Sequence, residues 1–518
     1  MTRNAYYITT AIAYPNGEPH IGHAYEMVAT DAIARWRRLE GREVLFLTGT
    51  DEHGLKMVQT AEREGIPTQA LADRNSGRFK DLAAALGLSN NDFIRTTEKR
   101  HHLASQEIWR RMTASNNGDI YQSTYKGWYS VRDEAYFDES ELTTTPDGKK
   151  LAPSGAEATW VEEPSYFFRL SAYQERLLKL YDAQPDFIAP KERRNEIISF
   201  VKGGLQDLSI SRTTFNWGIP VPDAPGHVMY VWIDALTNYI TGAGFPDDNG
   251  EKFKTFWPAD LHVIGKDIIR FHTVYWPAFL MSAGLEVQKR VFAHGFLTSE
   301  GKKMSKSLGN VVDPFALVEE FGADPVRYYF LREISWGQDG DWGREKFVNR
   351  NNADLANNFG NLAQRSLAMI AKNFGGVMPP RQQGSGEDNK IVSEMTTAVE
   401  RMEAAMVTEQ LHEAAGELVA ALSLANLYFA DQAPWGKKDD PARMGAILAT
   451  TADVLRRAAI AAQPFVPLAA GKMLDLLAVP NDHRMLDHAL DSETGIAAGT
   501  VLPPPEPVFR KFEQAKAV

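Results

Sequence analysis

A chain of 518 residues exceeds what one hydrophobic core usually serves, so about two to four domains are expected, and 44% hydrophobic with 24% charged residues excludes a disordered chain. The absence of cysteine excludes disulfides, thiolate zinc sites and thiol nucleophiles, and fits a reducing compartment. A formal net charge of -11 argues against a uniformly basic nucleic-acid binder but leaves room for a local basic groove.

The N-terminal residues MTRNAYYITTAIAYPNGEPH lack the continuous apolar run of a signal peptide, and no stretch approaches the roughly 20 apolar residues needed to span a bilayer. A cytoplasmic protein without membrane association is the expectation. Ala5 to Ala13 is β-branched and aromatic and predicts a buried first strand. Pro15, Gly17, Pro19 and Gly22 then force a turn, and apolar residues at helical spacing predict a helix from about His20 to Leu39. His20 and His23 are three apart and share a face of that helix. Two imidazoles at a positive helix end, beyond a strand, suit a polyphosphate. Val44 to Leu47 is a second short strand, which delivers the polar turn Thr48-Gly-Thr-Asp-Glu-His-Gly54. Helices over 55–63, 68–86 and 98–115 complete a βα-alternating half.

From Gly118 the texture changes to short aromatic strands separated by Pro-Asp-Gly and Pro-Ser-Gly turns, which predicts a small β-rich insertion. The α/β pattern resumes with a strand over Val228 to Ala235 feeding a helix. A strand with a glycine turn over Leu261 to Asp267 follows, then a helix from Ile268 to Met281 and a strand at Val291 to His294. Lys303 and Lys306 lie in a loop of small polar residues and could form a second positive jaw for a triphosphate. Beyond Arg350 the strands vanish and apolar residues recur at helical intervals, so the last third is a helix bundle. The fold class expected is α/β: a split Rossmann-like parallel sheet with a β-rich insertion, then an all-α domain. The expected boundaries are 1–118 and 226–290 for the two halves of the nucleotide-binding sheet, and 119–225 for the insertion. A lysine-loop and stem-contact region takes 291–350, and the helical domain 351–518.

His20-Ile-Gly-His23 and Lys303-Met-Ser-Lys-Ser307, in that order, resemble the two signatures of class I aminoacyl-tRNA synthetases. Nearly end to end, the chain is similar to the methionyl-tRNA synthetase family in particular. That resemblance implies activation of L-methionine by ATP with Mg2+ to an adenylate, then transfer of the methionyl group to the 3′ end of tRNA(Met). It assigns ATP to His20, Gly22, His23, Gly265, Asp267, Lys303 and Lys306, of which His20, His23, Lys303 and Lys306 are the catalytic set. The methionine side chain falls among residues matching Ile12, Tyr14, Trp232, Ala235, Tyr239, Ile268 and His272, and its ammonium group falls to Asp51. An aromatic and aliphatic box suits a thioether, which is cheaply desolvated and makes favourable contacts with ring edges. Asn361, Arg365 and Trp435 match the family's anticodon readers: amide and guanidinium groups bond base edges, and an indole stacks on an unpaired base.

Two departures from the family matter. Where many members carry zinc-binding thiolates, this chain has Ser130, Asp133, Ala152 and Gly155, so no zinc is expected and packing around Trp128, Tyr136, Phe137 and Trp160 must hold the knuckle. A C-terminal dimerisation domain found in longer members is not seen, which predicts a monomer. The alternatives are a sibling synthetase for a branched aliphatic amino acid and an inactive tRNA-binding relative. The span 119–225 is short for an editing insertion, and the lysine loop and anticodon set speak against the inactive form.

Overall fold

The structure, a computed structural model, describes residues 4–115, 117–132, 135–304, 310–381, 385–491 and 494–513. The chain divides into two compact units, one of residues 1–19, 45–84 and 90–294 and the other of 20–44, 85–89 and 295–518.

The first unit is organised on a six-stranded sheet in the order Asp92–Arg95, Glu43–Thr50, Ala5–Thr10, Leu261–Gly265, Val291–His294, Ile188–Ala189. Its registered pairs are parallel, as in Ile8 with Leu261 and His262 with Val291. Every residue of Ala5–Thr10 is buried, as expected of a parallel strand covered on both faces. That strand lies between the next strand in sequence and one some 250 residues later, so the topology reverses at its edge. Ligands of open α/β sheets bind beyond the strand ends at such a reversal. Gly49 is needed for close approach: a Cβ there would sit 2.0 Å from the carbonyl oxygen of Ile94.

The β-rich insertion is present. Ile120–Ser130 pairs antiparallel with Glu157–Phe168 from Ile120 with Phe168 to Tyr129 with Thr159. Trp128 and Trp160 face each other across the ladder, edge to face at 5.5 Å, although Trp160 is 55% exposed. Of the knuckle positions, Ser130 and Ala152 are buried, Gly155 sits in a turn at φ 78°, and Asp133 lies outside the described residues.

Two local expectations are corrected and one is refined. Only Val228–Met229 is strand, and Val231–Ala243 is a helix buried on nearly every side, so its apolar run carried no amphipathic signature to separate it from a strand. The expected helix from Ile268 to Met281 is helical throughout but not regular: it passes from a 3₁₀ turn at Lys266–Ile268 through a π-helical turn at Phe271–Tyr275 to an α-helix at Trp276–Ser282. Pro277 lacks the N–H that would have closed a regular turn there. Lys303 lies on strand rather than loop: Lys302–Lys303 pairs with Leu297–Ser299 through a turn in which Glu300 and Gly301 have φ of 52° and 73°.

The second unit holds the helix Ile21–Leu39 and the C-terminal bundle, whose long members are Gly386–Val407, Leu411–Gln432 and Pro441–Ala462. In this unit Asp31 and Arg327 form a fully buried ion pair at 2.7 Å, and Asp31 also accepts from the Ser89 backbone N–H and hydroxyl. Asp388 joins three bundle helices by accepting from Tyr428 and from both guanidinium nitrogens of Arg443. Among the described residues no helix is long and apolar enough to cross a membrane.

Candidate functional site

The residues expected to line the methionine box all lie in the first unit, although Tyr14 packs in a separate cluster with Trp217, Met57 and Leu71. Trp232, Ala235 and Tyr239 recur at helical spacing along one face of Val231–Ala243. Trp232 stacks flat on Phe271 at 3.7 Å and 5°, and stands edge-on to His272 at 6.2 Å. The His272 Nδ1 lies 3.0 Å from the Ile268 carbonyl, which can only accept, so Nδ1 carries the ring proton. Nε2 is therefore an acceptor, and the Tyr239 hydroxyl donates to it at 2.7 Å. Burial drives the His272 pKa down to about 4, which keeps this ring neutral. His262 stacks beneath Tyr239 at 4.0 Å, and burial, then its neighbour His272, push its pKa well down too.

These two rings make stability depend on pH. Because the folded-state pKa values lie below the ordinary 6.5, the unfolded chain binds protons first on acidification. Their contribution is whole above about pH 6.5 and is lost as pH falls toward about 4. Urea midpoints measured between pH 7.5 and pH 4.5 should fall on the acid side, and should fall less steeply for His272→Gln. Equal slopes in the two proteins would contradict the neutral assignment.

The polar end of the site is built by backbone. Ala11 donates to Val263, Ala13 donates to Gly49, and Asp51 donates to Ala13, each at 2.9 Å. Ile12 and Tyr14, half-buried, thus flank a segment bonded directly to the turn that carries Asp51. Asp51 is only 8% exposed. The next residue, Glu52, is fully buried and holds the turn: it accepts from Thr50 and Thr97 and from two nitrogens of Arg95, while its backbone N–H donates to Thr96. The indole of Trp217 donates to the Glu52 carbonyl at 2.6 Å. At the end of Leu261–Gly265, a Cβ on Gly265 would meet the Asp267 carboxylate at 2.7 Å, so glycine lets Asp267 fold against the strand end. Gly265 and Asp267 lie on the segment leading to Ile268 and His272.

The second unit carries the other predicted groups. His20 caps the helix Ile21–Leu39: its Nδ1 accepts from the Gly22 N–H at 3.1 Å, and the His23 Nδ1 accepts from the His20 N–H at 3.2 Å. Neutral rings that accept at Nδ1 carry their protons on Nε2, which makes those atoms donors suited to phosphate. The rings stack at 3.9 Å, and a Cβ at Gly22 would collide with the His20 ring at 2.9 Å. Of the lysine motif, the backbone of Lys303 is in the hairpin, while Lys306 lies outside the described residues. Asn361 opens the helix Asn361–Phe374 one turn before Arg365, whose guanidinium stands 5.1 Å from the rings of both Phe429 and Trp435. Trp435 is 46% exposed.

Reading the sequence missed Phe271, Tyr7 and the Glu52–Arg95–Thr97 cluster. The Tyr7 hydroxyl donates to the Tyr239 carbonyl at 2.7 Å and so holds the box helix against the first strand. Only Glu52 had a local signal, as part of the polar turn after the second strand.

Comparison with known proteins bears on these groups together. Residues 6–367 match the family described as tRNA synthetases class I (M), and residues 378–517 match the anticodon binding domain of methionyl tRNA ligase. A methionine–tRNA ligase of Mesorhizobium japonicum is 59% identical over 99% of this chain and 98% of its own length, and that of Mycobacterium leprae is 56% identical over 99% and 96%. A solved Mycobacterium tuberculosis methionyl-tRNA synthetase in complex with methionyl-adenylate superposes with a TM-score of 0.95 at 55% identity, covering 98% of this chain and 99% of that one. The free-state structure from the same organism gives 0.88 at 51% identity, covering 99% of each.

Proposed function

The chain belongs to the methionyl-tRNA synthetase family, and on that premise we propose how its residues divide the work of a methionine–tRNA ligase. The reaction is activation of L-methionine by ATP, followed by transfer of the methionyl group to the 3′ end of tRNA(Met). An oxygen of the methionine carboxylate attacks the α-phosphorus and the bond to pyrophosphate breaks; the terminal ribose hydroxyl then attacks the acyl carbon and AMP leaves. Neither step needs a side-chain nucleophile, so catalysis is positioning together with stabilisation of developing charge.

The observation that carries the division is the pairing of a buried, neutral Tyr239–His272 couple under the half-buried Trp232 with a buried carboxylate on a backbone-bonded turn. Ile12, Tyr14, Trp232, Ala235, Tyr239, Ile268 and His272 enclose the thioether. Asp51 pairs with the ammonium group, leaving the carboxylate to face the α-phosphorus. Gly265 and Asp267 take the adenosine end. His20 and His23, with Gly22 leaving room for the ring above it, donate from Nε2 to the phosphates, and Lys303 and Lys306 bind the triphosphate tail. Magnesium belongs with that tail in this reading, because Mg2+ is commonly held mainly by substrate phosphates and water.

Asn361, Arg365 and Trp435 read the anticodon. Trp435→Ala removes a stacking platform worth about 1 to 3 kcal/mol per base. Charging of tRNA(Met) with labelled methionine should therefore lose about 5- to 150-fold in kcat/KM for tRNA, with methionine activation untouched. Parent-level charging by this variant would remove Trp435 from the anticodon set, and no charging by the parent would remove the function.

A further inference from the structure

Asp234 is fully buried, and the methionine box does not use it. It lies between Trp232 and Ala235 in sequence but on another face of their helix, which it shares with Thr241, seven residues on. Its Oδ2 meets the His53 Nδ1 at 2.6 Å, and its Oδ1 meets the His101 Nε2 at 2.8 Å. His101 also reaches the Thr241 hydroxyl at 3.2 Å, within a helix, Lys99–Ala114, that packs on the box helix. Burial opposes charge on Asp234, yet the two imidazoles hold its carboxyl below the usual carboxylate range. A lone buried carboxylate is costly and apolar packing would serve the core as well, so such a group is informative when its partner leads to a site. His53 does so: it stands two residues after Asp51 on the same four-residue turn, with Trp217 edge-on to its ring at 5.5 Å.

We propose that Asp234 is a positioning residue for methionine activation, tying the turn that bears Asp51 to the helix that bears the box, through its bond to His53. The proposal rests on the ammonium role of Asp51 given above. The His53–Asp234 bond is then a direct tie between the supports of the ammonium subsite and the thioether box, beside the indirect one that runs through Tyr7 and the first strand. A substrate with both groups is held with its carboxylate in place, and loosening that bond weakens methionine binding before it touches ATP.

The test is pyrophosphate exchange by the full chain as parent, Asp234→Asn, Asp51→Asn and the double variant. Misplacement of a binding group on this scale should raise KM for methionine in Asp234→Asn by about 10- to 100-fold, with KM for ATP unchanged. In the Asp51→Asn background the same change should add markedly less, because the two act as one unit. Full additivity would overturn the coupling while leaving the ammonium role in place. Parent-like KM for methionine in Asp51→Asn alone would overturn the ammonium role and the proposal with it. A parallel loss in kcat and in KM for both substrates would mark Asp234 as merely structural and overturn it too. Should Asp234→Asn fail to fold, His53 decides: His53→Asn keeps an N–H near the Nδ1 position and should be parent-like, whereas His53→Ala should raise KM for methionine. Equal behaviour of those two would overturn the proposal.

Discussion

Asp51→Asn is expected to lower kcat/KM for methionine in pyrophosphate exchange by about 100-fold or more, since breaking a buried, hydrogen-bonded charge pair costs roughly 2 to 5 kcal/mol. The size of the effect comes from where the carboxylate sits. Asp51 is nearly buried, on a turn held by Glu52, Arg95 and Thr97 and bonded at its own N–H to Ala13. Little of that support depends on the Asp51 charge, so the substitution should leave the fold intact and act on the substrate. The loss should appear mainly as a higher KM for methionine, the sign of an interaction made alike in ground and transition states. A variant with parent kinetics would move the ammonium group to another carboxylate.

Lys306→Ala is expected to slow single-turnover adenylate formation by roughly 10²- to 10³-fold, the cost of removing one preorganised charge-stabilising donor. Here the loss should fall on kcat, with methionine binding by equilibrium dialysis unchanged, because the lysine is assigned to charge that grows as pyrophosphate leaves. The strand that precedes it supports such a task. The hairpin at Leu297–Ser299 is anchored by the Asp341 Oδ1, which accepts from the Gly301 N–H at 2.7 Å and the Thr298 hydroxyl at 2.8 Å. An unchanged activation rate would show that the motif's chemistry lies elsewhere.

The parallel sheet, the β-rich insertion and the helical last third were all legible, because each has its own periodicity in the sequence. What escaped was local and has physical causes. Val231–Ala243 is apolar on nearly every side, so its run of Val, Trp, Ile and Ala reads equally as strand or helix. The π-helical turn at Phe271–Tyr275 has no sequence period of its own, and Pro277 alone hinted at it. His20 and His23 were legible as a pair at a helix start but not as its cap, in which their Nδ1 atoms accept from the Gly22 and His20 N–H groups. The residues assigned to the methionine box come from segments far apart in sequence, and only the family resemblance could join them. Asp234 and His101, 133 residues apart, had no signal that could join them.

The most direct measurement is exchange of pyrophosphate into ATP by the parent chain against the full set of proteinogenic amino acids. The neutral, buried Tyr239–His272 box beside Asp51 predicts exchange with methionine and not with the branched aliphatic amino acids. Exchange driven by leucine, isoleucine or valine at a rate comparable to methionine would contradict that assignment.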